Sequence, residues 1–157
     1  MTDPSEGTPD PALELLHKVT IFVGLDEAAL LRMMSKAVRL EVETGHVVVR
    51  EGESGNQFYL LLSGNARVIK AFGTDHEFEL ARLRSGDFFG EMCLLETLPR
   101  VATVQTTSPA ILLRLSSMAF LDLYETRPDQ HSILILNLAR DLSRRLRRLD
   151  EVFAARH

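Results

Sequence analysis

The spacing of apolar residues changes twice along the chain. Residues 12–37 repeat apolar positions at helical spacing, and Asp26 stands where an N-cap would open a second helix reaching Lys36. From residue 38 apolar and polar positions alternate with a period of two, which is typical of half-buried strands, and short β-prone runs continue to residue 115. Helical spacing returns over residues 116–157. The pattern therefore predicts a mainly β domain with helices at both ends.

The central segment divides into short β-prone runs that are separated by turn signals. The first run alternates over residues 38–42, and the later runs are Val47–Val49, Phe58–Leu62, Ala66–Phe72, Phe78–Leu83, Val101–Thr106 and Ile111–Leu115. Clusters of Gly, Asn, Asp or Ser stand between most of them. A parallel sheet needs a crossover helix between strands, and these connections are too short to hold one. The runs favour an antiparallel sandwich, roll or barrel.

The two ends of the chain differ in composition. Residues 1–11 are rich in proline and polar residues, so we expect a disordered tail followed by one domain over residues 12–157. Pro128 ends one helix or opens the next, and the last helix is predicted from about Asp129 to Ala155. An apolar stripe at steps of three and four runs along this helix through Ile135, Leu138, Leu142, Leu146, Leu149 and Phe153.

Residues 88–104 carry the candidate chemistry. Glu91 can accept hydrogen bonds from hydroxyls, and Arg100 can fork onto a phosphate. Backbone N–H groups after Gly90 and around Val101 can cradle the same anion. The stretch suits a ligand with hydroxyls at one end and an anion at the other. The alternative is a buried turn in which Glu91 and Arg100 only pair with each other.

Composition narrows the class of protein. The chain has 157 residues, of which 45% are hydrophobic, so one packed domain is expected. The net charge of −4 argues against a nucleic-acid binder, although residues 139–157 hold six arginines against three acidic side chains. Cys93 is the single cysteine, which excludes an intrachain disulfide. With no secretory signal and no apolar run of membrane-spanning length, a cytoplasmic protein is the default expectation.

Signals for catalysis and for metals are weak. The five histidines show no metal-ligand spacing, Cys93 has no histidine beside it, and no serine sits in a G-x-S-x-G elbow. A metal-dependent enzyme on a cupin-like roll is therefore disfavoured. We predict no metal site, no cofactor and no enzyme activity.

The segment FGEMCLLETLPRVATV, residues 89–104, resembles the phosphate-binding cassette of the cyclic nucleotide-binding domain family. The order of helix, Phe-x-Gly-Leu turn and helix before the strands is also similar to that family. The resemblance covers about residues 16–152. It implies an eight-stranded antiparallel β-roll (a jelly roll, or double-stranded β-helix) over residues 38–115, with N-terminal helices and C-terminal lid helices. We call residues 88–104 the cassette.

The resemblance also implies a ligand, cAMP or cGMP, and a role for each residue that binds it. Glu91 would bind the ribose 2′-hydroxyl, and Arg100 would bind the cyclic phosphate. The implied ligand-binding residues are Phe89, Gly90, Glu91, Met92, Cys93, Arg100, Val101, Ala102 and Thr103. A Thr or Ser directly after the arginine often favours cGMP in the family, so Val101 in that place favours cAMP. The apolar cassette residues expected to fold back onto the roll are Met92, Leu94, Leu95 and Leu98.

The last helix is the lid that the resemblance implies. Leu138 and Leu142 are candidates to cap the base, and Arg140 or Arg144 to stack on it, unless these arginines form a solvated helix face. No helix-turn-helix segment follows this helix, so we expect no direct DNA binding. We also expect no membrane contact. The output would then pass to an unknown effector protein, unless the chain is a fragment of a longer one. The alternative is a nucleotide-free scaffold that acts through protein contacts of the last helix, including a homodimer.

Overall fold

The computed structural model of the protein describes residues 11–96 and 98–156. The predicted tail lies outside the described residues except for Pro11, which opens the first helix one residue before the predicted start. The chain forms two compact units. Among the described residues, one unit comprises those up to Leu31 and those from Leu123 onward and contains most of the helices, and the other comprises those between them.

Helices lie at both ends of the described chain, as predicted. They are α1 (Pro11–Lys18), α2 (Glu27–Met34), α3 (Ser117–Thr126) and α4 (Pro128–Ala155), and a 3-10 turn covers Thr20–Phe22. Pro128 opens α4, which is one of its two predicted roles. α2 ends two residues before the predicted Lys36, because the amide of Lys36 bonds the Met33 carbonyl at 3.1 Å and tightens the end into a turn.

Polar side chains hold together the unit that contains the chain ends, which we call the helical unit. Asp26 caps α2 as predicted, since its Oδ1 accepts the Ala29 N–H at 2.8 Å. The buried side chain of Asn137 on α4 donates from Nδ2 to the carbonyls of Ile21 at 3.0 Å and Val23 at 2.7 Å. α4 thus satisfies one carbonyl within the 3-10 turn and one directly after it.

Eight strands form the second unit, which confirms the predicted antiparallel β-roll. They are β1 (Val38–Val42), β2 (Val47–Val49), β3 (Gln57–Ser63), β4 (Ala66–Lys70), β5 (Phe78–Leu83), β6 (Phe88–Phe89), β7 (Thr103–Thr106) and β8 (Ala110–Ser116). One sheet has the order β1-β8-β3-β6 and the other β2-β7-β4-β5, and all pairs are antiparallel.

The inner faces of the two sheets fill the roll with apolar side chains. Leu61, Val104 and Leu112 are buried in one cluster. Tyr59 on β3 stacks on Phe89 on β6, with ring centroids 5.0 Å apart and planes 10° apart. The stacking anchors the strand from which the cassette departs, so the excursion between β6 and β7 starts and ends on packed strands.

Candidate functional site

The cassette turns sharply at Gly90. This residue has φ of +82°, a left-handed conformation that glycine adopts without strain. A Cβ here would stand 2.6 Å from the Gln57 carbonyl oxygen and 2.8 Å from Arg100 Nη1, so space also requires a glycine. A 3-10 helix over Glu91–Leu94 follows the turn. Its first side chain, Glu91, is only 6% exposed.

The backbone at Arg100 pairs with the loop between β2 and β3. Its N–H donates to the Glu53 carbonyl, and its own carbonyl accepts the Gly52 N–H, both at 2.8 Å. Ser54 and Pro99 form an adjacent antiparallel bridge. The loop joins a strand of one sheet to a strand of the other, so the roll itself positions the arginine.

The side chain of Arg100 is half-buried and reaches across the same loop. Its Nη2 donates to the Gln57 carbonyl at 2.8 Å, and the guanidinium lies against Gly55 and close to Gly90. A guanidinium has five N–H donors, and this bond uses one of them. The structure therefore brings together the glycine turn and the arginine that the sequence predicted as two parts of one site.

Beyond Arg100 the cassette runs into β7. The side chain of Val101 is 65% exposed, whereas Ala102 and Thr103 are buried. Thr103 Oγ1 accepts the Glu51 N–H at 3.1 Å, which ties the end of the cassette to the loop after β2. Of these predicted ligand-binding side chains, only that of Val101 is presented to solvent.

Apolar residues in the middle of the cassette do not all fold back onto the roll. Met92 is 37% exposed, and Leu95 and Leu98 are each 46% exposed, so the expectation is wrong for these three. Leu94 is partly buried. Met92 lies on the 3-10 helix, where successive side chains point to three sides and only one side can face a packed surface, while Leu95 and Leu98 lie beyond the end of this helix. The side chain of Cys93, another predicted ligand-binding residue, lies outside the described part.

The four predicted lid residues lie on α4, in the helical unit. Leu138 is fully buried and Leu142 is partly buried, while Arg140 and Arg144 are exposed. Leu138 lies on the same side of α4 as Leu134, which is also buried. Contact of these residues with a nucleotide base stays a prediction.

Two contributors to the arginine's position were missed in the sequence. Residues 51–56 indicate a turn, but turn chemistry does not distinguish Gly52, which has φ of +85°, from Gly55, which leaves space for a guanidinium. Gln57 contributes its carbonyl oxygen, so its side chain carries no signal for this role.

Residues 11–96 and 98–156 contain no group of three or more His, Cys, Asp or Glu side chains placed to hold a metal ion. None of the helices within these ranges is both long and apolar enough to cross a membrane. The sequence-based expectation of no metal site stays a prediction.

Solved structures with this arrangement of strands include regulatory proteins. The catabolite activator protein of Thermus thermophilus is 30% identical, with a TM-score of 0.74 over 86% of this chain and 62% of that chain. The regulatory domain of Toxoplasma gondii PKA, crystallised with cAMP, is 28% identical, with a TM-score of 0.67 over 76% of this chain and 46% of that chain. A cyclic nucleotide-binding domain from Methylobacillus flagellatus is 22% identical and supports the fold alone, with a TM-score of 0.79 over 94% of this chain and 83% of that chain.

The sequence model of the cyclic nucleotide-binding domain matches residues 39–127. That range is more than half of the chain, and it includes the Gly90 turn, Arg100 and the loop that positions Arg100. The match and the β-roll agree with the resemblance found in the cassette, and the chain belongs to the cyclic nucleotide-binding domain family.

Proposed function

We propose that this chain is a sensor that binds a cyclic nucleotide, cAMP in preference to cGMP, at the cassette. The observation that carries the proposal is the Arg100 guanidinium, held by the Gln57 carbonyl beside the Gly90 turn. A cyclic phosphate carries one negative charge, which the guanidinium compensates while it forks onto two oxygens. Glu91, buried on the same cassette, accepts the hydrogen bond of the ribose 2′-hydroxyl.

Backbone groups complete the anion site in this proposal. The amides of Met92 and Cys93, at the start of the 3-10 helix, and those of Val101 and Ala102 donate to the phosphate. The preference for cAMP rests on Val101, whose exposed side chain has no hydroxyl to bond a guanine amino group. The cAMP in the Toxoplasma gondii PKA structure supports this class of ligand.

The signal leaves through α4, which is the lid that the family resemblance implies. Once a nucleotide is bound, Leu142 caps the base and Arg140 or Arg144 stacks on it, and Leu138 joins the cap only when α4 leaves the position in which this side chain is buried. A ligand that contacts both cassette and lid only in the closed state shifts the population towards that state. We further propose that the chain acts in the cytoplasm through an effector protein, without enzyme activity and without binding DNA or membranes itself.

Calorimetric titration of nucleotide-stripped protein with cAMP and then cGMP tests the proposal. We expect about one site per chain and tighter binding of cAMP. Arg100→Ala should weaken binding by about 2–4 kcal/mol, because a buried anion then lacks its cation. Arg82→Ala is the matched control, since Arg82 pairs with Glu79 on β5 at 2.7 Å, outside the cassette. A loss below ~0.5 kcal/mol for Arg100→Ala would contradict the assigned site.

One observation favours the scaffold as a second candidate. Leu146, Leu149 and Val152 on α4 are 63%, 55% and 50% exposed, more apolar surface than a solvated helix end needs. In this function the roll binds no nucleotide and α4 docks on a second copy or another protein. Excess absorbance at 260 nm from co-purified nucleotide would favour the sensor. Association that persists without nucleotide and disappears on truncation at Leu142 would favour the scaffold.

A further inference from the structure

Lys70, the last residue of β4, reaches the second half of the cassette. Its Nζ donates to the Val101 carbonyl oxygen at 2.6 Å and lies 3.0 Å from Glu51 Oε1. Strand register places it there, because Ile69 pairs with Thr103 and Lys70 is the next residue on β4. Lys70 therefore connects three parts of the site: β4, the loop after β2 and the segment that follows Arg100.

The Val101 carbonyl belongs to the peptide group that carries the Ala102 N–H. In a planar trans peptide the C=O and the following N–H point in opposite directions. Because Lys70 holds this carbonyl, the Ala102 N–H points away from Lys70. The preceding peptide is fixed in the same way, since Gly52 N–H donates to the Arg100 carbonyl at 2.8 Å. Each of the two peptide groups after Arg100 is thus oriented by a bond to its carbonyl.

Glu51 contacts both Thr103 and Lys70. Its N–H donates to Thr103 Oγ1 at 3.1 Å, while its carboxylate accepts from Lys70. The side chains of Lys70 and Glu51 are 39% and 33% exposed, so the pair is partly shielded from water. Since Glu51 balances the charge of Lys70, the effect of Lys70 on a bound anion is directional rather than a general attraction.

We infer that Lys70 is a positioning residue of the nucleotide site: it orients the Ala102 N–H towards the cyclic phosphate, and Glu51 holds Lys70 in place. The inference rests on the proposed function, because it assigns a role at the same site. Lys70 acts through a peptide group and touches no part of the ligand. This role accounts for a lysine at the end of β4 whose ammonium group donates to a main-chain oxygen.

Lys70→Met tests the inference, because it keeps the unbranched apolar stem of the side chain and removes the terminal donor. Lys70→Arg restores a donor. Arg82→Met is the control: it removes a cation from β5, the strand next to β4, where Arg82 pairs with the carboxylate of Glu79. The affinity of each variant is measured by calorimetry for cAMP and for its two phosphorothioate diastereomers, in which sulfur replaces one exocyclic phosphate oxygen. Thermal unfolding of the ligand-free variants is measured in parallel.

We expect Lys70→Met to weaken cAMP binding about tenfold, Lys70→Arg to recover most of the loss, and the unfolding midpoint to stay close to wild type. The loss should shrink for the diastereomer whose sulfur faces the Ala102 N–H, because sulfur accepts hydrogen bonds weakly. An equal loss for all three ligands, or wild-type affinity in Lys70→Met, would overturn the inference and leave the proposed function intact. Absence of cyclic nucleotide binding by the wild-type protein would overturn both.

Discussion

The guanidinium of Arg100 lies directly against the backbone of Gly55. A Cβ added to Gly55 would stand 2.4 Å from Nε, 2.5 Å from Nη2 and 2.7 Å from Cζ. These atoms form the far end of a flexible side chain, whereas the backbone around Gly55 is held by the Ser54–Pro99 bridge. Any side chain at this position would therefore displace the guanidinium before it displaced the backbone.

Gly55→Ala should separate binding from stability. The added methyl group moves the guanidinium, so we expect cyclic nucleotide affinity to fall at least tenfold, with the loss of an oriented charged donor. The free energy of unfolding should change by less than about 1 kcal/mol, since the backbone of Gly55 is outside the positive-φ region. Calorimetry and urea unfolding check the two parts. A loss of stability above ~2 kcal/mol would show that the loop, not the side chain, had moved.

Gly64→Ala, in contrast, should lower the stability of the fold. Gly64 has φ of +89°, and a Cβ would meet the Pro109 carbonyl oxygen at 2.4 Å and the Ala110 Cα at 2.8 Å. Because these obstacles are backbone atoms, we expect a loss of about 2–4 kcal/mol in the free energy of unfolding. Gly73→Ala is the control, since Gly73 has φ of +77° but nothing within 4 Å, and strain alone should cost about 1 kcal/mol. Equal losses in the two variants would contradict the steric argument.

The sequence predicted what local chemistry determines and missed what strand register brings together. The Gly90 turn and the Asp26 cap need only neighbouring residues, so their patterns were sufficient. The bond from Arg100 to the Gln57 carbonyl spans 43 positions, and that from Lys70 to Val101 spans 31. Such contacts depend on which strands are adjacent and in what register. The alternation of apolar residues excludes a slip of one residue, but it does not exclude a slip of two and does not say which strands pair.

Asp26→Asn should reduce the loss of stability in acid. The Ala29 N–H, and next Arg127, hold the pKa of the Asp26 carboxyl below its usual range. A carboxyl with a lowered pKa in the folded state contributes stability above its unfolded pKa, and this is lost as the pH falls through the folded value. Asparagine keeps the cap and does not titrate. The unfolding midpoint of Asp26→Asn should therefore fall less steeply than that of wild type below about pH 4.

The control for this pH series is Asp75→Asn in the exposed turn between β4 and β5, which should follow the wild-type curve. Melting temperatures between neutral pH and acid pH, taken at constant ionic strength, give the comparison. Identical slopes for Asp26→Asn and wild type would mean that other carboxyls carry the acid dependence. Asp122 would then be the next to replace, since the hydrogen bond from Arg32 also lowers its pKa.

Val101→Thr should move the ligand preference towards cGMP. Valine and threonine have nearly the same shape, and the side chain is 65% exposed, so the fold should tolerate the exchange. The new hydroxyl can bond the guanine amino group, which is worth about 2–10-fold in affinity as one neutral hydrogen bond. The ratio of cAMP to cGMP affinity by calorimetry is the readout, and Val101→Ala controls for the lost methyl groups. An unchanged ratio would remove this residue from the determinants of base preference.

Leu149→Lys tests whether α4 forms a homodimer. Ala139, Leu142, Leu146, Leu149 and Phe153 follow one another at alternating steps of three and four. This spacing matches the a/d pattern of a coiled coil over two heptads. In a parallel pair the g position of one helix lies beside the following e position of the other, which would bring Arg145 of one copy next to Asp150 of the second. Both the seam and the charges therefore favour a parallel homodimer.

Lysine at position 149 would place two like charges in the seam of such a dimer, so we expect dissociation into monomers in sedimentation at micromolar concentration. Leu121→Lys on α3 is the matched control, because Leu121 is also an exposed leucine, at 42%, but lies outside α4. Exchanging the charges in Arg145→Asp and Asp150→Arg should weaken association singly and restore it together, since only the double variant regains the opposite pair. Monomeric wild-type protein, with and without cyclic nucleotide, would instead leave the exposed leucines of α4 for a different partner.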